Sequence, residues 1–378
     1  MKLYRAAIYL LSAACVGGIA LWRTMPVQGI ASEPVVAPAI ASWSAPAAAK
    51  YLDDRELWWQ GWPRAQKDHG TICISCHTNV PYAMSRPALR SALHEPTVSV
   101  PEKVLLDSVE KRVSHWDEMV PFYSDAHDGL GKTAEAHATE AVMNAVILTS
   151  YDRREGRRRP ITRTALDAAW ALQLQAGEDA GGWIWQDFHL SPWESHESSY
   201  EGAAMLMLNL GVARQTLVTT PEDKQHLQLL ESYLRKNYAA QPLLNQLYVY
   251  WASAGAPELL NDGERADLQK KIEALQKPDG GWNLSSLDGR ERVDKTAQPT
   301  GSDGFATAVV ALAFEANTTG SKSKSLERGL AWLEDHQQKD GRWQAVSLNK
   351  ERDPESNIGK FMSDAATGYA VLALEQAR

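Results

Sequence analysis

Cys73, Cys76 and His77 stand as Cys-x-x-Cys-His within TICISCHTNVPYAMSRPAL, Thr71 to Leu89, and the two cysteines are among only three in the chain. Three chemistries fit that spacing. The thiols can close a disulfide in an oxidising compartment. Together with His77 they can offer zinc three ligands, but a fourth is needed and no second Cys pair exists. They can also form thioethers to the vinyl groups of a c-type haem, leaving His77 as an axial ligand to the iron. A thioredoxin-like redox pair sits in a β-α-β context, which the flanking sequence lacks. Haem c is therefore the expected cofactor, held by Cys73, Cys76 and His77. Met84, seven residues beyond His77, is the first candidate sixth ligand, since a thioether there raises the reduction potential. His94, His115, Met119 or an open position are the alternatives.

The elements that would position this motif follow from a repeat. LQKPDGGWN, Leu275 to Asn283, maps onto HQQKDGRWQ, His336 to Gln344, so that Gln276, Asp279, Gly280 and Trp282 fall on Gln337, Asp340, Gly341 and Trp343. The same offset carries SDGFATAVVALA, from Ser302, onto SDAATGYAVLAL, from Ser363. Two matches at one shift define a repeating unit of helix, Gly turn, long loop and helix. In the last unit, Ser325 is the expected N-cap of a helix with Leu326, Leu330 and Leu333 on one face. Asp340 and Gly341 stop it. The helix that follows, DAATGYAVLALEQA, is apolar nearly all round and so is expected to be buried on most sides. Weaker copies run upstream: Trp170 to Gly211, HLQLLESYLRKNY to Gly255, and an inner helix at Thr139 to Tyr151. QKDHGTI, Gln66 to Ile72, occupies the turn of the opening unit, directly before the Cys pair.

RGLAWLEDHQQKDGRW, Arg328 to Trp343, resembles the QW repeat of squalene-hopene and other terpenoid cyclases, and QKPDGGW resembles its second half. The resemblance extends over Asp267 to Arg378, more weakly over Thr139 to Gly255, and by inference over Lys50 to Ala138. It implies an all-α fold, an (α/α) toroid of about five or six helical hairpins in which inner helices line a cavity and outer helices ring them. It also implies sites to look for. Hopene cyclases protonate their substrate with an Asp-x-Asp-Asp run, but the corresponding places here hold one carboxylate each, at Asp303 and Asp364. DAHD, Asp125 to Asp128, is the nearest imitation. Without paired carboxylates, little holds one protonated at neutral pH. The zinc setting of prenyltransferase β subunits and the Gly-Cys-Gly-Glu-Gln run of thioester domains are missing from the sequence.

Two polar clusters remain, Gln186 to Gly202 and Ser124 to Glu140. They read as solvated loops whose acids favour helix N-termini. Alternatively, Glu140, Glu201, Asp303 and Asp364 all stand at starts of inner helices and would ring one mouth of the cavity, as weak catalytic candidates or an acidic rim.

The remaining features bound the setting. Lys2 and Arg5 precede an apolar run, Ala6 to Trp22, which serves as a cleaved signal or as an anchor barely long enough for a bilayer. The charge bias sends the body outward. Residues 1–23 are thus read as signal or anchor, 24–49 as a Pro/Ala-rich tether and 50–378 as the toroid. The expected location is periplasmic, tethered to the inner membrane where Ala6 to Trp22 is kept as an anchor. A net charge of −8 argues against a nucleic-acid partner, and RREGRRRP, Arg153 to Pro160, reads as a solvated connector. The reading that results is an exported toroid carrying one haem, acting in electron transfer or redox sensing with a redox partner. The alternatives are an enzyme acting on an isoprenoid or other apolar small molecule, and a non-catalytic binding cup.

Overall fold

The structure is a computed structural model and describes residues 43–378, which fall within one compact unit. The run Ala6 to Trp22 and most of the tether lie outside the described residues. No described helix is long and apolar enough to cross a membrane. In chain order the long helices are α1 (Ala45–Gly61), α2 (Asn79–Ala92), α3 (Val100–Ser114), α4 (Lys132–Glu155), α5 (Pro160–Ala171), α6 (Ser198–Val212), α7 (Pro221–Asn237), α8 (Leu243–Ala252), α9 (Asp262–Ala274), α10 (Gly304–Ala316), α11 (Lys324–Asp335) and α12 (Phe361–Gln376). The even-numbered helices pack each on the next, and α12 returns onto α2. The odd-numbered helices lie outside them, α1 bridging α2, α3 and α12. The described residues therefore form an all-α toroid of six outer–inner pairs.

Composition assigns the layers. Along α10 every residue from Gly304 to Phe314 is buried, and along α12 every residue from Met362 to Leu374. Helices apolar on all sides must be enclosed on all sides. Outer helices are amphipathic: α11 buries Leu326, Leu330 and Leu333, the face read from their spacing. Its N-cap is Ser323, whose hydroxyl accepts from the Leu326 amide, rather than Ser325, which already lies in the first turn. Capping boxes start α7 (Thr220 with Asp223) and α9 (Asn261 with Glu264).

In three of the six pairs a Gln and a Trp lock the pair to its neighbour. Gln173, Gln276 and Gln337 each donate to the carbonyl of their own turn glycine, Gly181, Gly280 and Gly341. The same amide reaches the next outer helix, at His226 and Ser325. For Gln337 that partner is Ser44, the N-cap of α1, so this contact joins the end of the ring to its beginning. Each repeat tryptophan donates its indole N–H to a carbonyl late in its own outer helix, Trp282 to Ile272 and Trp343 to Leu333.

One sequence boundary moves, and one segment changes its setting. Trp43 is buried and α1 begins at Ala45, so the toroid takes the last residues assigned to the tether. Proline at the first turn and a run of alanines suit a helix start once Ser44 caps it. The basic run is not a free connector. Arg153 and Arg154 end α4, Arg159 pairs with Asp152 and Glu110, and Arg158 with Asp223.

The closing turn yields a prediction. Gly341 has φ 96°, and a Cβ there would lie 2.1 Å from the Ala47 carbonyl oxygen of α1. Gly341→Ala should destabilise by roughly 3 kcal/mol in chemical denaturation, since both backbone strain and a backbone clash oppose it. Gly61→Ala, with no heavy atom within 4 Å of the added Cβ, is the control and should stay within ~0.5 kcal/mol.

Candidate functional site

The loops that lead into α2, α4, α6 and α12 gather at one mouth of the toroid. They enclose a cavity of about 1020 Å³ of atom-free space, counted to its open mouth. Cys73, Cys76 and His77 all line it. Where other repeats place a Gly-Trp turn, this one has a two-stranded hairpin, with Gln66 opposite Ile72 and Lys67 opposite Thr71, so the chain turns sharply before the Cys pair. The hairpin exit is pinned twice: the Cys73 amide donates to the Ala65 carbonyl, and the Trp59 indole N–H donates to the Cys73 carbonyl. Between the cysteines, the Ser75 amide and hydroxyl both donate to Asn79 Oδ1, while Asn79 Nδ2 donates to the buried Glu56 at 2.8 and 2.9 Å. Burial pushes Glu56 up to about 7.

His77 is held as a neutral imidazole. Its ring stacks on Phe361 with centroids 3.7 Å apart, beside Trp59 and Trp193. Burial, aided by Arg55 and Arg352, pulls its pKa down to about 3. Nδ1 lies 2.9 Å from the Thr78 hydroxyl, which in turn donates to Asp364 Oδ2 at 2.8 Å. Because the Thr78 hydroxyl spends its proton on Asp364, its oxygen accepts from Nδ1–H, which leaves Nε2 with the lone pair. A ligating histidine is commonly fixed this way, through a bond from its other nitrogen.

The thiols are free and line the cavity. Burial pushes Cys73 up to about 12 and Cys76 well above the ordinary thiol range. Neither is a poised thiolate, as a dithiol oxidoreductase would need. Among the described residues, no group of three or more His, Cys, Asp and Glu side chains is arranged to hold a metal ion, so the zinc arrangement is not assembled. The donor set present is two thiols and one neutral imidazole on the wall of an aromatic cavity, which fits covalent haem.

Met84 does not reach this cavity. It is buried in α2 and its carbonyl accepts from Arg154. A helix carries its residues to successive faces, and the seven-residue spacing put Met84 on the core side. The alternatives His94, His115 and Met119 do not line the cavity either. Met143 of α4 does, with Sδ 3.1 Å from Cys76 Sγ. Its face was legible in principle, because Ala136, Thr139 and Met143 follow one another at helical spacing. The loop clusters were only partly solvated: His189 and His196 are exposed, but Gln186, Trp193 and Glu194 line the cavity.

The four acids do not form an exposed rim. Glu140 is buried against Arg112. Asp364 is buried and bound by Arg55 at 2.7 and 3.0 Å, Tyr51 at 2.8 Å and Thr78. Asp303 is the N-cap of α10, accepting from the Ala306 and Leu284 amides, and faces a separate depression beside Asn283 and Trp332. Acids at helix starts are favoured as caps and dipole partners, and burial inside a ring obliges them to find donors. Glu201 alone faces the toroid interior. It lines a second space of about 380 Å³ beneath the first, which shares Cys76, Met143 and Trp193 with it. Glu201 Oε2 is buried without a well-formed hydrogen bond, with the Tyr248 hydroxyl and the Trp193 indole as its nearby donors.

Burial pushes Glu201 up to about 8. A carboxyl whose folded pKa exceeds its unfolded value contributes stability that is full below about pH 4.5 and is lost as pH rises through about 8. Wild type should therefore lose on the order of 3 kcal/mol more than Glu201→Gln between pH 5 and 8.5. Denaturant titration of both proteins at the two pH values checks this. Glu56 and Asp303, also raised by burial, are common to both proteins and cancel.

No curated protein matches the chain in sequence. Among solved structures, a glycosidase variant and a glycosidase variant in complex with glucose are each similar at 13% identity and TM-score 0.50, covering 88% of this chain and 97% of theirs. A wild-type glycosidase gives the same identity, TM-score and coverage. At that identity the likeness is one of fold alone. Residues 244–375 match the family model of the squalene-hopene cyclase C-terminal domain, and the ring of six helix pairs gives the described residues an alpha-alpha toroid fold.

Proposed function

We propose that the protein is an exported carrier of one covalent c-type haem seated in the toroid mouth, acting in electron transfer or redox sensing. The observation that supports this reading best is the shared cavity wall: both thiols of the Cys-x-x-Cys-His run and a neutral, oriented imidazole open onto one aromatic space. Cys73 and Cys76 would be the attachment points, and His77 Nε2 the iron ligand. Haem supplies a one-electron couple when bound there. The chain's own part is to orient His77 through Thr78 and Asp364, and to exclude water with Trp59, Trp193 and Phe361. A dry surround and a hydrogen-bonded ligand are the means by which a protein sets such a potential. Met143 is the methionine available to the same space.

The test uses the full chain expressed with export and c-type maturation. Haem-stained denaturing gels and a pyridine haemochrome spectrum should give a covalent c-type signal. Protein that is exported and folded yet carries no covalent haem rejects the reading.

A second reading rests on Glu201. Its carboxyl lines the largely apolar inner space and is pushed up to about 8 by burial, as an acid acting on an apolar small molecule would be. Turnover of such a molecule, lost in Glu201→Gln, is its signature; turnover that survives the substitution removes it.

A further inference from the structure

We propose that Arg352 is the carboxylate anchor of the cavity, the residue that holds a propionate of the haem. This inference rests on the haem reading above.

Arg352 lines the cavity on the loop that leads into α12. Among the residues that line this cavity, Glu194 is the one carboxyl and Arg352 the one arginine or lysine. It has no carboxylate within ion-pair distance among the described residues. Its side chain makes a single long contact, 3.4 Å to Asn349 Oδ1. Arg55, Arg86, Arg112, Arg290 and Arg342 each meet a carboxylate, at Asp364, Asp53, Glu140, Asp288 and Glu355, and the buried Arg292 is satisfied by the Ser347 and Ala297 carbonyls. Glu194 and His77 both feel the Arg352 charge, though neither bonds it.

The loop holds this guanidinium in place. The Glu351 amide donates to Asp294, Asn349 Nδ2 donates to the Ser191 carbonyl, and Ser356 Oγ donates to the Asp353 carbonyl. Gly359 packs so closely on that carbonyl that a Cβ would lie 1.8 Å from it, which folds residues 353–359 back on themselves. An arginine fork presents paired N–H donors in the geometry of a carboxylate. A half-buried fork with its donors unmatched, on an otherwise aromatic wall, suits an apolar body carrying an acid group. A porphyrin tethered at Cys73 and Cys76 is such a body, and its propionates are the acid groups.

The test compares wild type, Arg352→Lys and Arg352→Gln as full, matured chains. All three should stain for covalent haem, because the thioethers do not depend on Arg352. Loss of the cation leaves the propionate charge uncompensated and favours the oxidised state. In Arg352→Gln the reduction equilibrium should shift about tenfold that way, ~59 mV for a one-electron couple. Arg352→Lys should restore most of the shift, and raising the salt should shrink it. A midpoint in Arg352→Gln that superimposes on wild type at low salt overturns the anchor and leaves the haem reading standing. Wild type without covalent haem overturns both.

Discussion

The exported double variant Cys73→Ser with Cys76→Ser is expected to carry no covalent haem, while each single variant keeps one attachment at reduced yield. A serine hydroxyl does not form the thioether, and the remaining wall still shapes the cavity. Denaturing gels and intact mass read the result directly: wild type heavier by one haem, the double variant at its polypeptide mass. His77→Ala should keep the mass of the haem and change the spectrum, because attachment and ligation belong to different residues. Equal haem staining in the double variant would place any haem elsewhere and remove these cysteines from the account. A parallel measurement addresses the dithiol alternative. With Cys73 pushed up to about 12 by burial, alkylation of haem-free folded protein at pH 7 should be much slower than that of an unfolded control. Fast alkylation of the folded chain would favour thiol chemistry.

The largest loss of stability among the residues discussed should come from Asp364→Ala. Asp364 is 1% exposed and accepts from Arg55, Tyr51 and Thr78, which belong to α1 and to the Cys-x-x-Cys-His loop. Removing it leaves the 5% exposed Arg55 guanidinium unpaired and two hydroxyls without their acceptor. Breaking a buried pair from one side costs about 3 to 5 kcal/mol. Asp364→Asn should cost less, since an amide oxygen still accepts from Thr78 or Tyr51. Denaturant midpoints measure both. The same variants probe orientation: without Asp364, Thr78 is free to turn its proton toward His77, and the spectrum of the matured protein should broaden. A loss within ~0.5 kcal/mol for Asp364→Ala would contradict the structural role and return this acid to the catalytic candidates.

Much of this architecture was legible in the chain. The offset that maps Gln276 onto Gln337 and Trp282 onto Trp343 marks a unit that must tie itself to a neighbour, and the structure shows the same atoms making those ties. Layer assignment was legible too, because a helix such as 304–316 has no polar face to offer water. The adjacency of Cys73, Cys76 and His77 is local, so their common placement on one wall needed only a short loop.

What the sequence left open concerned partners far along the chain. Asp364 looked like a free acid at a helix start; whether it meets Arg55, some 300 positions earlier, depends on the ring closing through Ser44 and Gln337. Glu140 and Arg112, or Cys76 and Met143, are likewise joined only by packing. Met84 and Met143 are equally plausible from spacing, and rotation about a helix axis chose between them. The sequence alone determined the repeat, the two helix layers and the attachment motif, because each is written in local periodicity. Which carboxylates are paired, which methionine reaches the cavity and that Arg352 faces the cavity without a carboxylate were decided by tertiary structure, since burial and charge matching exist only once distant segments meet.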